Sequence, residues 1–149
     1  MRIYINTSAL HRPFDDLSQA RIREDAEAMA MLISAIRAGR AELLSSEYLL
    51  FEVTRNPDVG QLGIMLAVLA LARRQVRVSR SAVVRAEQLE GEGLRGLDAV
   101  HIACAEAGRA DLLVTTDDRM LRGARRTSGV DLRVVSPFEA LALLNEELQ

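Results

Sequence analysis

The side chains of this sequence best suited to chemistry carry oxygen: Asn6, Glu52, Asp98 and Asp117. Asn6 closes the strand-like run Ile3-Tyr4-Ile5 and leads into Thr7-Ser8, and Asp117-Asp118 follow Leu112-Leu113-Val114-Thr115-Thr116 in the same way. Asp98 stands at the front of an apolar helical stretch, Gly96-Leu97-Asp98-Ala99-Val100. Glu52 lies in Ser46-Glu47-Tyr48-Leu49-Leu50-Phe51-Glu52, among residues that should pack inward. In open parallel sheets ligands bind beyond the carboxyl ends of the strands, where Asn6 and Asp117 fall. Neighbouring carboxylates repel unless a cation neutralises them, and an all-oxygen set suits Mg²⁺ or Mn²⁺.

Each acid also has a simpler reading. Asp98 and Asp117 could cap helices, since a carboxylate accepts the free amide hydrogens of a first turn. Asp118 reads as a solvated first-turn acid. Glu47, five residues before Glu52 and so about 140° away around a helix, reads as surface. Glu52 resists such a reading, because a carboxylate on the apolar side of a helix is costly unless paired or metal-bound. His101, one turn beyond Asp98 on the same face, is read as packing.

Composition excludes several chemistries. All 19 basic residues are Arg, so Walker-type phosphate binding and Schiff-base catalysis, which need Lys, are absent. One Cys (Cys104) and two His (His11, His101) supply neither an intramolecular disulfide nor a Cys/His zinc cage. With 19 basic and 21 acidic residues the net charge is −2, so contact with a polyanion must come from a local patch or bound metal. Arg73, Arg74, Arg77, Arg80 and Arg85 form one basic concentration. Arg119, Arg122, Arg125 and Arg126 form another, which follows Asp117 directly and is expected to flank the site. Aromatic residues are 3% of the chain, so base stacking is a weak resource. Met1-Arg2 leads into a strand without a long apolar run, so a cytoplasmic protein is expected. The greasy stretch Leu62–Ala72 is too short to span a bilayer and is expected to be a buried helix.

The elements that must position these residues alternate. Strands are predicted at Arg2–Asn6, Ala41–Ser45, Val76–Val78, Leu112–Thr115 and Leu132–Val135. Helices are predicted at Leu17–Ala38, Ser46–Arg55, Gly60–Arg74, Ser81–Gln88, Leu97–Gly108 and Pro137–Glu147, the last opened by the cap Ser136 and a first-turn proline. This alternation predicts a single α/β domain over residues 1–149, with a mainly parallel sheet of about five strands flanked by helices.

The chain resembles the PIN domain, the fold of VapC-type toxin ribonucleases in bacterial toxin–antitoxin pairs, over nearly its whole length. Met1 to Leu10 looks like the family's opening strand, and Arg12-Pro13-Phe14-Asp15-Asp16 like one subgroup's following loop. Ser46 to Glu52 looks like the helix of the second acid, Gly96 to Ala103 like the third motif, and Leu113 to Arg119 like the fourth. The resemblance implies that residue 6, Glu52, Asp98 and Asp117 hold one or two Mg²⁺ or Mn²⁺ ions for cleavage of RNA. It further implies that Ser8 and Thr115 orient ligands or substrate; Arg119, in the basic group after Asp117, is expected at the phosphates because guanidinium groups bind them bidentately. A homodimer and a small antitoxin partner are also implied. One departure matters: residue 6 is Asn where the family pattern has Asp, which removes a charge from the cluster and is expected to impair catalysis. Retention of the other three acids favours a silenced nuclease over a weak natural variant. The alternative is a non-catalytic PIN module that binds RNA or a protein. A phosphoacceptor receiver domain also places acids at strand ends, but would need a Lys that this chain lacks.

Overall fold

In the computed structural model, which describes residues 1–149, every strand is parallel to its neighbours. The order along the chain is β1 (Arg2–Ile5), α1 (Thr7–His11), a 3₁₀ turn (Arg12–Phe14), α2 (Ala20–Arg37), β2 (Glu42–Ser46), α3 (Glu47–Thr54), α4 (Val59–Leu69) and β3 (Arg74–Val76). There follow α5 (Arg80–Gly91), α6 (Gly96–Ala107), β4 (Leu112–Val114), α7 (Asp118–Arg126), β5 (Arg133–Val135) and α8 (Pro137–Glu147).

The sheet runs β3-β2-β1-β4-β5. A parallel sheet is covered on both faces, so its central strands read as unbroken apolar runs. Ile3, Tyr4 and Ile5 of β1 accordingly have no exposed surface. After β1 the chain adds β2 and β3 on one side, then crosses back to add β4 and β5 on the other. The connections diverge where β1 and β4 lie side by side, with Ile5 in register with Val114. A crevice opens at such a switch point, beyond the carboxyl ends of the two strands. Asn6 and Thr115 are the residues that follow them.

Most helices start on a residue that satisfies their free amide hydrogens. Asn6, Ser46, Asp58, Ser79, Asp117 and Ser136 each cap the helix that follows through the side chain. The single α/β domain with five parallel strands is as predicted, and the Ser136-Pro137 start of α8 falls where the sequence put it.

Three local expectations need correction. The third strand is Arg74–Val76 rather than Val76–Val78. As the sheet's edge strand it pairs on one side only, so Arg74 and Gln75 can point to water and the apolar run does not mark its bounds. The helix before it therefore stops at Leu69 instead of running to Arg74. That helix is also only half buried: Met65, Val68 and Leu69 face the core, whereas Ile64 is 57% exposed and Gly60, Gly63 and Ala67 share its open face. An apolar run shows that a helix can be buried, not how much of its circumference finds a partner.

Candidate active site

Asn6 is held by a closed set of hydrogen bonds. Its Oδ1 accepts the backbone N–H of Ala9 (3.3 Å) and the Ser8 hydroxyl (2.9 Å). An N–H can only donate, so this contact fixes which end of the amide is oxygen. The Nδ2 group then donates to Thr115 Oγ1 (2.9 Å) and to Met120 Sδ (3.4 Å). Thr115 Oγ1 also accepts the Asp117 N–H (3.1 Å), which occupies its second lone pair. Its proton therefore goes to Ser8 Oγ, 3.1 Å away. Ser8 Oγ also accepts the Thr116 N–H (3.2 Å) and donates to Asn6. The bonds run in one direction around a ring, Asn6 to Thr115 to Ser8 to Asn6. No lone pair or proton is left over on Asn6 Oδ1, Thr115 Oγ1 or Ser8 Oγ. Asn6, Ser8 and Thr115, all expected at the metal or substrate, are thus committed to joining β1 to β4.

Asp117 caps α7: its Oδ1 accepts the N–H groups of Arg119 (2.9 Å) and Met120 (3.4 Å), while Oδ2 makes no hydrogen bond. Capping and availability for a ligand are therefore not alternatives here, because they use different oxygens. Asp98, in the first turn of α6, is 8% exposed and accepts no hydrogen bond from the protein. Burial raises its pKa, the charge of Asp117 raises it further, and Glu52 adds to the effect, against Arg95 and His101.

Glu52 turns inward. Its Oε1 accepts the Thr7 hydroxyl and His101 Nε2, each at 2.6 Å. Burial pushes its carboxyl up, but the His101 bond and charge, with the Thr7 and Tyr48 hydroxyls, outweigh burial and leave it below the ordinary value. His101 is 3% exposed and is not simply packed, contrary to the sequence reading. Its Nδ1 lies 2.7 Å from the Tyr4 hydroxyl, which lies 2.8 Å from Ser46 Oγ. With the ring as its Nε2–H tautomer every donor has an acceptor: Ser46 to Tyr4, Tyr4 to His101, His101 to Glu52. The i, i+3 spacing of Asp98 and His101 signalled a shared helix face, but not the bond to Glu52, 49 residues away.

Asp117 and Glu52 each act electrostatically on Asp98, whose carboxyl they raise, but the three do not line one pocket. Glu52 opens on a hollow of about 660 Å³ shared with Thr7, Ser8, Arg12, Arg55 and Thr116. Asp98 opens on a second of about 170 Å³ with Arg95, Arg119, Arg122 and Arg126. No three acidic, His or Cys side chains close to the separation that would grip one ion. The expected convergence of the three acids on one shared pocket is not seen: Glu52 takes His101 as its partner and opens on a different hollow from Asp98. The donor chemistry nonetheless fits a hard divalent cation. Asp98 accepts no hydrogen bond from the protein and Asp117 has a spare oxygen, and carboxylate oxygens are the ligands such an ion takes.

The single α/β domain, with its all-parallel sheet in the order β3-β2-β1-β4-β5 flanked by helices, is PIN-like in fold. Comparisons with solved structures give the same fold. The chain is similar to FitAcB from Neisseria gonorrhoeae at a TM-score of 0.58 and 14% identity, over 91% of this chain and 98% of that one. It is similar to VapBC2 from Rickettsia felis, solved bound to a DNA fragment from their promoter, at 0.55 and 14% over the same shares. Similarity to PAE2754 from Pyrobaculum aerophilum is 0.52 at 19% identity, over 98% and 90%. No protein-family model and no curated protein sequence matches the chain. No helix is long and apolar enough to cross a membrane.

Proposed function

We propose that this chain is a PIN-like toxin of a toxin–antitoxin pair: an endoribonuclease dependent on Mg²⁺ or Mn²⁺, impaired by Asn at position 6. The observation that carries the reading is Asp98, a largely buried acid in the first turn of α6 that accepts no hydrogen bond from the protein and whose carboxyl is raised by burial and by the charges of Asp117 and Glu52. Arg95 and His101 offset part of the cost of that charge, and a bound cation would remove the repulsion among the acids. On this reading an ion would draw Glu52, Asp98 and Asp117 together, since no three such side chains close on one point without it, and when bound it supplies Lewis acidity at a phosphodiester.

The chain's own groups do the rest. His101 and Thr7 fix the rotamer of Glu52, the first turn of α7 fixes Asp117, and the Asn6–Thr115–Ser8 ring fixes the loops that carry them. Arg119, in the first turn of α7, can meet a phosphate with its planar fork. A small antitoxin, a second copy of the chain and a cytoplasmic RNA target belong to the same reading.

The test is Asn6→Asp. Metal-dependent cleavage of RNA should rise well above that of the parent chain and vanish in EDTA. A non-catalytic module is the second reading, favoured by one observation: the amide at position 6 is fully used inside the fold. It gains if Asn6→Asp leaves cleavage absent while binding of RNA or a protein persists.

A further inference from the structure

The structure sorts the arginines in a way their sequence clusters do not. Arg119, Arg122 and Arg126 fall at i, i+3 and i+7 on α7 and share one face, over roughly 10 Å of helix. Together with Arg95, just ahead of α6, they line the hollow that contains Asp98. Arg125 lies on another face and pairs with Glu139. The ion pairs formed by arginines use Arg2, Arg12, Arg21, Arg85 and Arg125, so none of the four around the hollow has an acidic partner within 4.0 Å. Four arginines and one acid thus line a hollow of about 170 Å³. All four arginines are exposed and without an ion-pair partner, so their guanidinium groups are free to take an anion.

We infer that this hollow is a seat for consecutive phosphates of single-stranded RNA, lying on the Asp98 side of the acidic group and formed by Arg95, Arg119, Arg122 and Arg126. The lining favours RNA over an acidic peptide: Leu94 is its only hydrophobic residue, so a peptide would find no apolar anchor there. Phosphate recognition needs none, since it rests on charge and guanidinium geometry. The aromatic-poor composition agrees, leaving backbone charge as the main means of holding a strand. This inference rests on the nuclease reading for its location, because it fixes on which side of the acids the strand runs.

The experiment measures binding of a short fluorescent single-stranded RNA by anisotropy, in EDTA, across a salt series. It uses the parent chain, Arg122→Gln/Arg126→Gln, and the charge-matched control Arg37→Gln/Arg40→Gln. The control arginines are exposed at the end of α2, where β2 is entered, at the opposite end of the sheet. The seat predicts that Arg122→Gln/Arg126→Gln weakens binding by about tenfold or more. It also flattens the log-affinity against log-salt slope by about 0.7 for each lost phosphate contact, with the control close to the parent. Equal losses in both double variants, no loss in either, or a parent chain that binds an acidic peptide and no RNA would overturn it. Cleavage is not read in this assay, so the two proposals can fail separately. Arginine-dependent binding with no cleavage by Asn6→Asp keeps the seat and removes the nuclease. Cleavage with binding indifferent to Arg122 and Arg126 does the reverse.

Discussion

Asn6 Nδ2 donates to Thr115 Oγ1 across 2.9 Å, and this bond makes the junction of β1 and β4 depend on an amide. A carboxylate at position 6 has no proton to give. The Thr115 hydroxyl would have to turn from Ser8 to donate to residue 6, and the ring would open at the Ser8–Thr115 contact.

Asn6→Asp should therefore lower stability in EDTA, by about 1–3 kcal/mol for the broken bonds and the added buried charge. Mn²⁺ should restore the loss in a concentration-dependent way, as a ligand of the folded state does. Thermal melts with and without Mn²⁺ check this. An unchanged Tm in EDTA, unaffected by the ion, would show that the amide is incidental.

The raised carboxyl of Asp98 sets a pH dependence. A group whose folded pKa lies above its ordinary 3.8 favours the folded state in acid, and that contribution is lost as pH rises through the raised value. The causes are burial and then Asp117, with Glu52 adding and Arg95 and His101 opposing. Asp98→Asn does not titrate, so in EDTA its Tm should exceed the parent's at neutral pH. The gap should close as pH falls below the ordinary value. A gap of constant size from acid to neutral would contradict an electrostatic origin.

Glu52 has the opposite sign. Its lowered pKa contributes stability above the ordinary 4.5, lost as pH falls through the lowered value. His101→Leu removes the bond that offsets burial of Glu52 and leaves Tyr4 with Ser46 alone. The expected cost is about 1–3 kcal/mol at neutral pH, shrinking in acid, with partial recovery in His101→Gln, whose amide can still donate. Denaturant midpoints across pH provide the measurement. Equal stability of all three chains would mean that His101 only fills space.

Asp117 serves two purposes with two oxygens, and two substitutions separate them. Asp117→Asn keeps an acceptor for the Arg119 and Met120 amides and should cost little. Asp117→Ala removes the cap and should cost about 1 kcal/mol. Both should abolish the Mn²⁺-dependent rise in Tm of the Asn6→Asp chain, since both remove the charge. If Asp117→Asn retains that rise, Asp117 is a cap and not a ligand.

Much of the architecture could be read from the chain because it depends on neighbours in sequence. Strands show as short Val/Ile/Leu runs, helices as three-to-four spacing, and helix starts as Ser, Asp or Asn followed by a free first turn. The position of Asn6 and Asp117 at strand ends follows from the same local signals, and so does the start of α8 at Ser136-Pro137. Tertiary structure decided whatever depends on residues about 50 to 110 positions apart. Sheet register put Asn6 against Thr115 and closed a ring that withdraws its oxygen from the site. Packing of α3 against α6 turned Glu52 to His101 and made a polar relay of a residue read as packing. The rotation of α7 set three arginines beside Asp98 and sent Arg125 to Glu139. Local propensity fixes which elements form, but the direction of each side chain at their junctions depends on how surfaces distant in sequence meet.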